Sequence, residues 1–112
     1  MTTESLHESQ ESFVRNAEGF WEKIGKADSK AANKLDSAND KIVADWIRGN
    51  SIEDMLLPLT THESTAVKFA AAAHLVRFDK RPEAITILRK LTECSTGLLA
   101  PMAAAVLRAH KL

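Results

Sequence analysis

Cys94, His62, Glu63 and His74 have the widest chemical repertoire of the side chains in this sequence. A nucleophilic cysteine needs a depressed pKa and a base within reach. His62 and Cys94 fall in turns that an internal sequence echo makes equivalent, with Glu63 beside the first, so they are candidates to share one edge. Two or three potential ligands on separate turns form only a weak metal signal. The chain contains no CxxC, no HExxH and no Cys-His spacing typical of zinc sites. The expectation is therefore an inert, partly buried thiol, with no catalytic residue, no metal and no cofactor. His74 lies on an apolar helical face and reads as a core or interface histidine with one hydrogen bond rather than a proton shuttle. His7 and His110 sit near the ends and read as solvated. Gly19, Gly25, Gly49 and Gly97 are scattered, so no glycine-rich phosphate loop exists and no nucleotide site is expected.

Charge offers a different kind of chemistry. The segment up to Glu22 carries Glu4, Glu8, Glu11, Glu18 and Glu22, with Arg15 among them. Asp36 and Asp40 add a second acidic strip at helical spacing. Such strips are either solvated faces or docking surfaces for a basic partner, because carboxylates on rigid helices speed encounter and fix orientation. The candidate partner-binding residues are Glu11, Glu18, Glu22, Asp36 and Asp40. Lys68, Arg77, Lys80, Arg81, Arg89, Lys90, Arg108 and Lys111 make the C-terminal half mildly basic. Lys+Arg and Asp+Glu both total 15, so net charge is zero, and no exposed aromatics interleave with the basic residues. Nucleic-acid binding is accordingly not expected.

Positioning these groups falls to helices. Tyr is absent, Gly and Pro are few, and no strand-like alternation is sustained. A first helix is predicted over Ser9 to Lys26, with Phe13, Ala17, Phe20 and Ile24 on its inner stripe, flanked by Val14 and Trp21. Residues 1–8 are expected to be loose. Asp28 can cap a second helix over Ser29 to Arg48, whose expected inner stripe is Ala31, Leu35, Ala38, Ile42 and Trp46, with Val43 beside it. Gly49-Asn50 is a C-terminal stop. A short third helix starts at Ser51, with Asp54 in a capping-box position, and Pro58 ends or kinks it. The fourth, Thr65 to Phe78, is capped by Ser64. It is apolar nearly all round, leaving Lys68 and Ala72 as the solvent strip. Pro82 opens the fifth, with Ala84, Ile85, Leu88 and Leu91 apolar. The sixth, from Leu98 to His110, carries Leu99, Met102, Ala103, Val106 and Leu107.

The strongest pattern is the echo itself. Leu56-Leu57-Pro58-Leu59-Thr60-Thr61-His62-Glu63-Ser64-Thr65 returns loosely as Leu88-Arg89-Lys90-Leu91-Thr92-Glu93-Cys94-Ser95-Thr96-Gly97, and each copy runs into an alanine-rich segment. A helix pair repeated at this length is the signature of a helical solenoid. The expected architecture is a single all-α domain over 1–112, a HEAT/armadillo-like helical repeat of about six helices in three antiparallel pairs.

Glu63-Ser64-Thr65-Ala66-Val67-Lys68-Phe69-Ala70-Ala71 resembles the second helix of a HEAT-type repeat. In order along the chain come Ala31-Ala32-Asn33-Lys34-Leu35, Ile42, Leu56 with Leu59, the Val67-Lys68 helix, and Glu83-Ala84 with Leu88. This order looks like a small bacterial domain family of unknown function, number two-thousand-nineteen in the domain-of-unknown-function series. The resemblance implies a HEAT-like fold and no assigned activity.

A rigid helical surface without a catalytic constellation implies a non-enzymatic protein-binding domain. The concrete form expected is an immunity (antitoxin-like) protein that covers the active site of a basic bacterial toxin. The alternative is a HEAT-like adaptor or scaffold in a bacterial complex, with a DNA-binding helical-repeat protein further behind. A lone cysteine, a polar start and the lack of any apolar run near ~20 residues point to a cytoplasmic protein with no membrane partner.

Overall fold

A computed structural model describes residues 3–79, 82–94, 97 and 99–111, with the side chains of 3–5 and of Cys94 outside that description. It is all-α. Helix α1 spans Thr3–Gly25, α2 Ser29–Arg48, α3 Ile52–Leu56, α4 Thr65–Phe78, α5 Pro82–Cys94 and α6 Leu99–Ala109, and a 3₁₀ turn covers Leu57–Thr61. No helix among the described residues is long and apolar enough to cross a membrane. The chain divides into two compact units, Met1–Met55 and Leu56–Leu112.

In the first unit α1 packs along α2. The turn between them follows from two local devices. The N–H groups of Ala27 and Asp28 bond the carbonyls of Ile24 and Lys23, a Schellman closure. It forces Ala27 to φ 58°, a conformation better suited to glycine. Asp28 then caps α2 by accepting from the Ala31 N–H at 3.1 Å. The same closure ends α2, where Asn50 takes the left-handed position at φ 57°. Its N–H and that of Ser51 bond the carbonyls of Ile47 and Trp46. Gly49, at φ −91°, does not use its freedom.

The seam between the two helices is partly polar. Trp46 Nε1 donates to Ser9 Oγ at 3.0 Å, and that hydroxyl donates to the Leu6 carbonyl. Asn39 Nδ2 donates to the Phe13 carbonyl at 3.2 Å, while its Oδ1 accepts from Asn16 Nδ2 at 3.0 Å. Going from Ser9 to Asn16 climbs seven residues on α1 while the partner descends seven on α2, from Trp46 to Asn39, so the pair is antiparallel. Phe13 and Trp46 are both fully buried, their rings 5.6 Å apart and tilted by 42°. At Gly19 the helices approach so closely that a Cβ would stand 3.0 Å from Leu35 Cδ1.

Two expectations for this unit are corrected. Helix α1 begins at Thr3 rather than Ser9, because half-buried Leu6 extends the Phe13 stripe and Gln10 Nε2 donates to the Met55 carbonyl at 2.9 Å. The buried stripe of α2 is Ala32, Asn39, Val43 and Trp46, with Ala31, Leu35, Ala38 and Ile42 only half-buried on its shoulder. The helix is rotated because Asn39 goes inward to meet two polar groups of α1, which hydrophobicity alone does not indicate.

In the second unit α4 packs against the 3₁₀ turn, α5 and α6, and α5 packs against α6. The echo is visible in its burial. Leu56 and Leu88, Leu59 and Leu91, Val67 and Leu99, Ala71 and Ala103, and Leu75 and Leu107 each stand 32 residues apart, and all are buried. Thr60 and Thr92 each donate to the carbonyl three residues earlier, at 2.7 and 2.6 Å. The copies differ where Pro58 breaks the first into α3 and a 3₁₀ turn, while α5 runs unbroken. They differ again on the second helix face. Phe69 and Val76 of α4 are buried, whereas their α6 counterparts, Pro101 and Arg108, are exposed.

Corrections here concern edges. Ala72 is fully buried and Lys68 half-buried, so neither is a solvent strip; Arg77 and Phe78 are the exposed end of α4. Met102 is exposed on α6. Ser64 occupies the cap position of α4 without a side-chain cap bond. Ser51 spends its hydroxyl on the Gly49 carbonyl. Leu98, the expected start of the sixth helix, lies outside the described residues.

Candidate protein-docking surface

The outer strip of α1 is built by helical arithmetic. Glu11, Arg15, Glu18 and Glu22 recur at three- and four-residue steps and fall on the side opposite Phe13, Ala17 and Phe20. All four are exposed, so the hairpin seam on one face leaves the other to water. The strip is not purely acidic. His7 Nε2 stands 3.0 Å from Glu11 Oε1, Arg15 Nη2 donates to Ser12 Oγ, and Lys26 Nζ stands 3.1 Å from Glu22 Oε1. The Lys26 ammonium, hydrogen-bonded to Glu22, holds that carboxyl below the usual carboxylate range, with Lys23 adding attraction. Exposed pairs of this kind contribute little to stability and leave the charges open to exchange partners.

Asp36 and Asp40 do not join that strip. They are exposed one turn apart on a flank of α2, roughly a quarter to a third of a turn from the line that Asn39 and Trp46 present to α1. The outermost ridge of α2 is instead basic. Lys30, Lys34 and Lys41 are all exposed there with Ser37 between them, and with the shoulder residues Ala38 and Ile42 they line a shallow groove. Every residue lining this groove belongs to α2, so it is a furrow between side chains of one helix and encloses nothing. The hairpin thus carries an acid-rich outer edge on α1 and a lysine edge on α2. The sequence reading missed the lysine ridge because rotating the α2 stripe changes which residues point straight outward.

His62 Nδ1 accepts the Ser64 N–H at 3.0 Å, which braces the turn before α4 and uses that nitrogen's lone pair. Glu63 is exposed beside it. His74 is buried at 7% exposure within α4. The side chain of Cys94 lies outside the described residues, as do Lys80, Arg81 and the side chain of Glu4. Of the basic positions, Arg77, Arg89, Lys90, Arg108 and Lys111 are exposed.

Asn16 and Asn39 are the positioning residues that sequence reasoning passed over. Asparagine is a poor mid-helix residue. Two of them with i, i+7 apolar neighbours, Ala32 and Trp46 around Asn39, are a usable signal for a buried polar contact.

No family model, no curated protein and no solved structure matches this chain.

Proposed function

We propose that this chain is a non-enzymatic protein-binding domain. In its most concrete form it is a cytoplasmic immunity-type protein that neutralises a basic bacterial toxin by covering its active site. The observation that carries the reading is the α1 outer strip, where Glu11, Glu18 and Glu22 stand exposed on a 23-residue helix whose opposite side is locked to α2. A rigid helix holds its carboxylates at fixed spacing, so a basic partner meets an ordered array without ordering cost. Asp36 and Asp40 would extend the contact to a partner wide enough to wrap the hairpin. Inhibition by coverage needs complementarity of shape and charge, and no chemistry from the domain.

The test is co-expression with the product of the adjacent gene, followed by affinity capture. The expected result is a salt-sensitive complex that Glu18→Lys with Glu22→Lys weakens by ten-fold or more, to judge from close interfacial charge pairs. A neighbour that is no toxin, with nothing co-purifying, removes the toxin version.

A scaffold reading has its own supporting observation: matched burial in two copies 32 residues apart. Repeats of this kind expose continuous surfaces for partners, in the manner of HEAT-like proteins. On that reading charge reversal on α1 leaves partner binding intact, which separates the two.

A further inference from the structure

We infer that this chain associates with further copies of itself, edge to edge, by laying the outer strip of α1 from one copy along the lysine ridge of α2 from the next. Read backwards, Glu22, Glu18 and Glu11 are spaced by four and seven residues; read forwards, Lys30, Lys34 and Lys41 are spaced by four and seven. At a rise of about 1.5 Å per residue, both strips place their charges about 6 Å and then about 10.5 Å apart. An antiparallel approach therefore sets Glu22 against Lys30, Glu18 against Lys34 and Glu11 against Lys41 in one register. All six side chains are exposed in the folded chain. Arg15, the one cation between Glu11 and Glu22, falls opposite uncharged Ser37.

Within one molecule α1 and α2 are already antiparallel, and the two strips lie on the outer sides of the pair, away from the seam of Ser9, Phe13, Asn39 and Trp46. A second hairpin placed beside the first continues the alternation of helix directions. The contact joins two different surfaces, so each copy keeps one free strip of each sign and the association is head-to-tail. The Glu22–Lys26 ion pair and the His7–Glu11 contact lie at the surface and yield to intermolecular pairs at little cost. The contact is electrostatic, hence reversible and steeply dependent on salt.

This inference stands apart from the reading of a basic partner. That partner needs only the glutamates, whereas self-association needs the lysines as well. Sedimentation velocity on the purified chain tests it. At about 0.01 M salt, where charges act over about 30 Å, the mean mass is expected to climb with protein concentration; at about 1 M, where they act over about 3 Å, it returns to that of one chain. Glu11→Lys/Glu18→Lys/Glu22→Lys and Lys30→Glu/Lys34→Glu/Lys41→Glu are each expected to lower the association constant by about tenfold or more. Mixing the two variants is expected to restore assembly, since each then offers the strip the other lacks. A chain that stays single at low salt overturns the proposal, as does association that survives either reversal, or a mixture that fails to assemble. Circular dichroism checks that each variant keeps its helices. The lysine variant also separates the two readings: it loses self-association and keeps a basic partner.

Discussion

The hairpin of α1 and α2 and the repeat unit of residues 56–111 solve the same packing problem with opposite materials. The hairpin sets two large aromatic side chains, Phe13 and Trp46, into a seam whose alignment comes from directional hydrogen bonds through Ser9, Asn16 and Asn39. The repeat unit uses leucines around small side chains, with Ala71, Ala72 and Ala103 fully buried and Phe69 the buried aromatic of α4. Polar pairing specifies one register but demands that every partner be satisfied. Alanine lets helix axes draw close, so that shape complementarity can align them. The hairpin also keeps a full polar face on each helix, which is why the candidate docking residues gather there. Helix α4 has no such face and serves as a wall.

Replacing the largest buried side chain is the hardest test of this contrast. Trp46→Ala is expected to destabilise the hairpin by about 3–5 kcal/mol through the cavity and the lost bond to Ser9, measured by urea unfolding. The repeat unit should fail in the opposite direction, by crowding. Ala71→Leu or Ala103→Leu is expected to cost about 1–3 kcal/mol, and equal stability to the parent would show that alanine is not needed for close approach there.

The polar seam sharpens the comparison further. Asn39→Ala removes the bonds to Asn16 and to the Phe13 carbonyl and is expected to cost about 1–2 kcal/mol. A double-mutant cycle with Asn16→Ala should give a coupling above about 0.5 kcal/mol; additivity would mean the pair does not set the register. Ala27→Gly is expected to stabilise the hairpin by about 1 kcal/mol, since glycine takes φ 58° without strain and loses only part of that gain to unfolded-chain entropy. The smallest effect concerns Glu22. Its carboxyl is held low by Lys26, so the pair's contribution is present above the ordinary carboxylate pKa and fades as pH falls through the lowered folded value. Lys26→Met should raise the Glu22 pKa in an NMR titration and barely move the unfolding midpoint.

Much of the fold was legible in local pattern. Phe13, Ala17, Phe20 and Ile24 advertise the inner side of α1, Asp28 and Asn50 bound α2, and the leucine echo announces equivalent buried positions in the second unit. Legibility failed where a residue's role depends on a neighbour far along the chain. Asn39 stands in no predicted inner stripe, and its role becomes clear only once Asn16 and the Phe13 carbonyl stand opposite it. Once it turns inward, Ala31, Ala38 and Ile42 move to the shoulder and Lys30, Lys34 and Lys41 become the crest. His62 reads as a possible ligand, and nothing in its neighbourhood of sequence reveals the Ser64 N–H that its Nδ1 accepts.

The amino-acid order by itself determined helix, turn and repeat, because periodicity, caps and breakers act over a few residues. Tertiary structure alone decided which way each helix is rolled and which charges share an edge. A roll of a fraction of a turn changes no local propensity. It is settled by whether buried polar groups find partners across the seam, and for Asn39 that answer comes from α1.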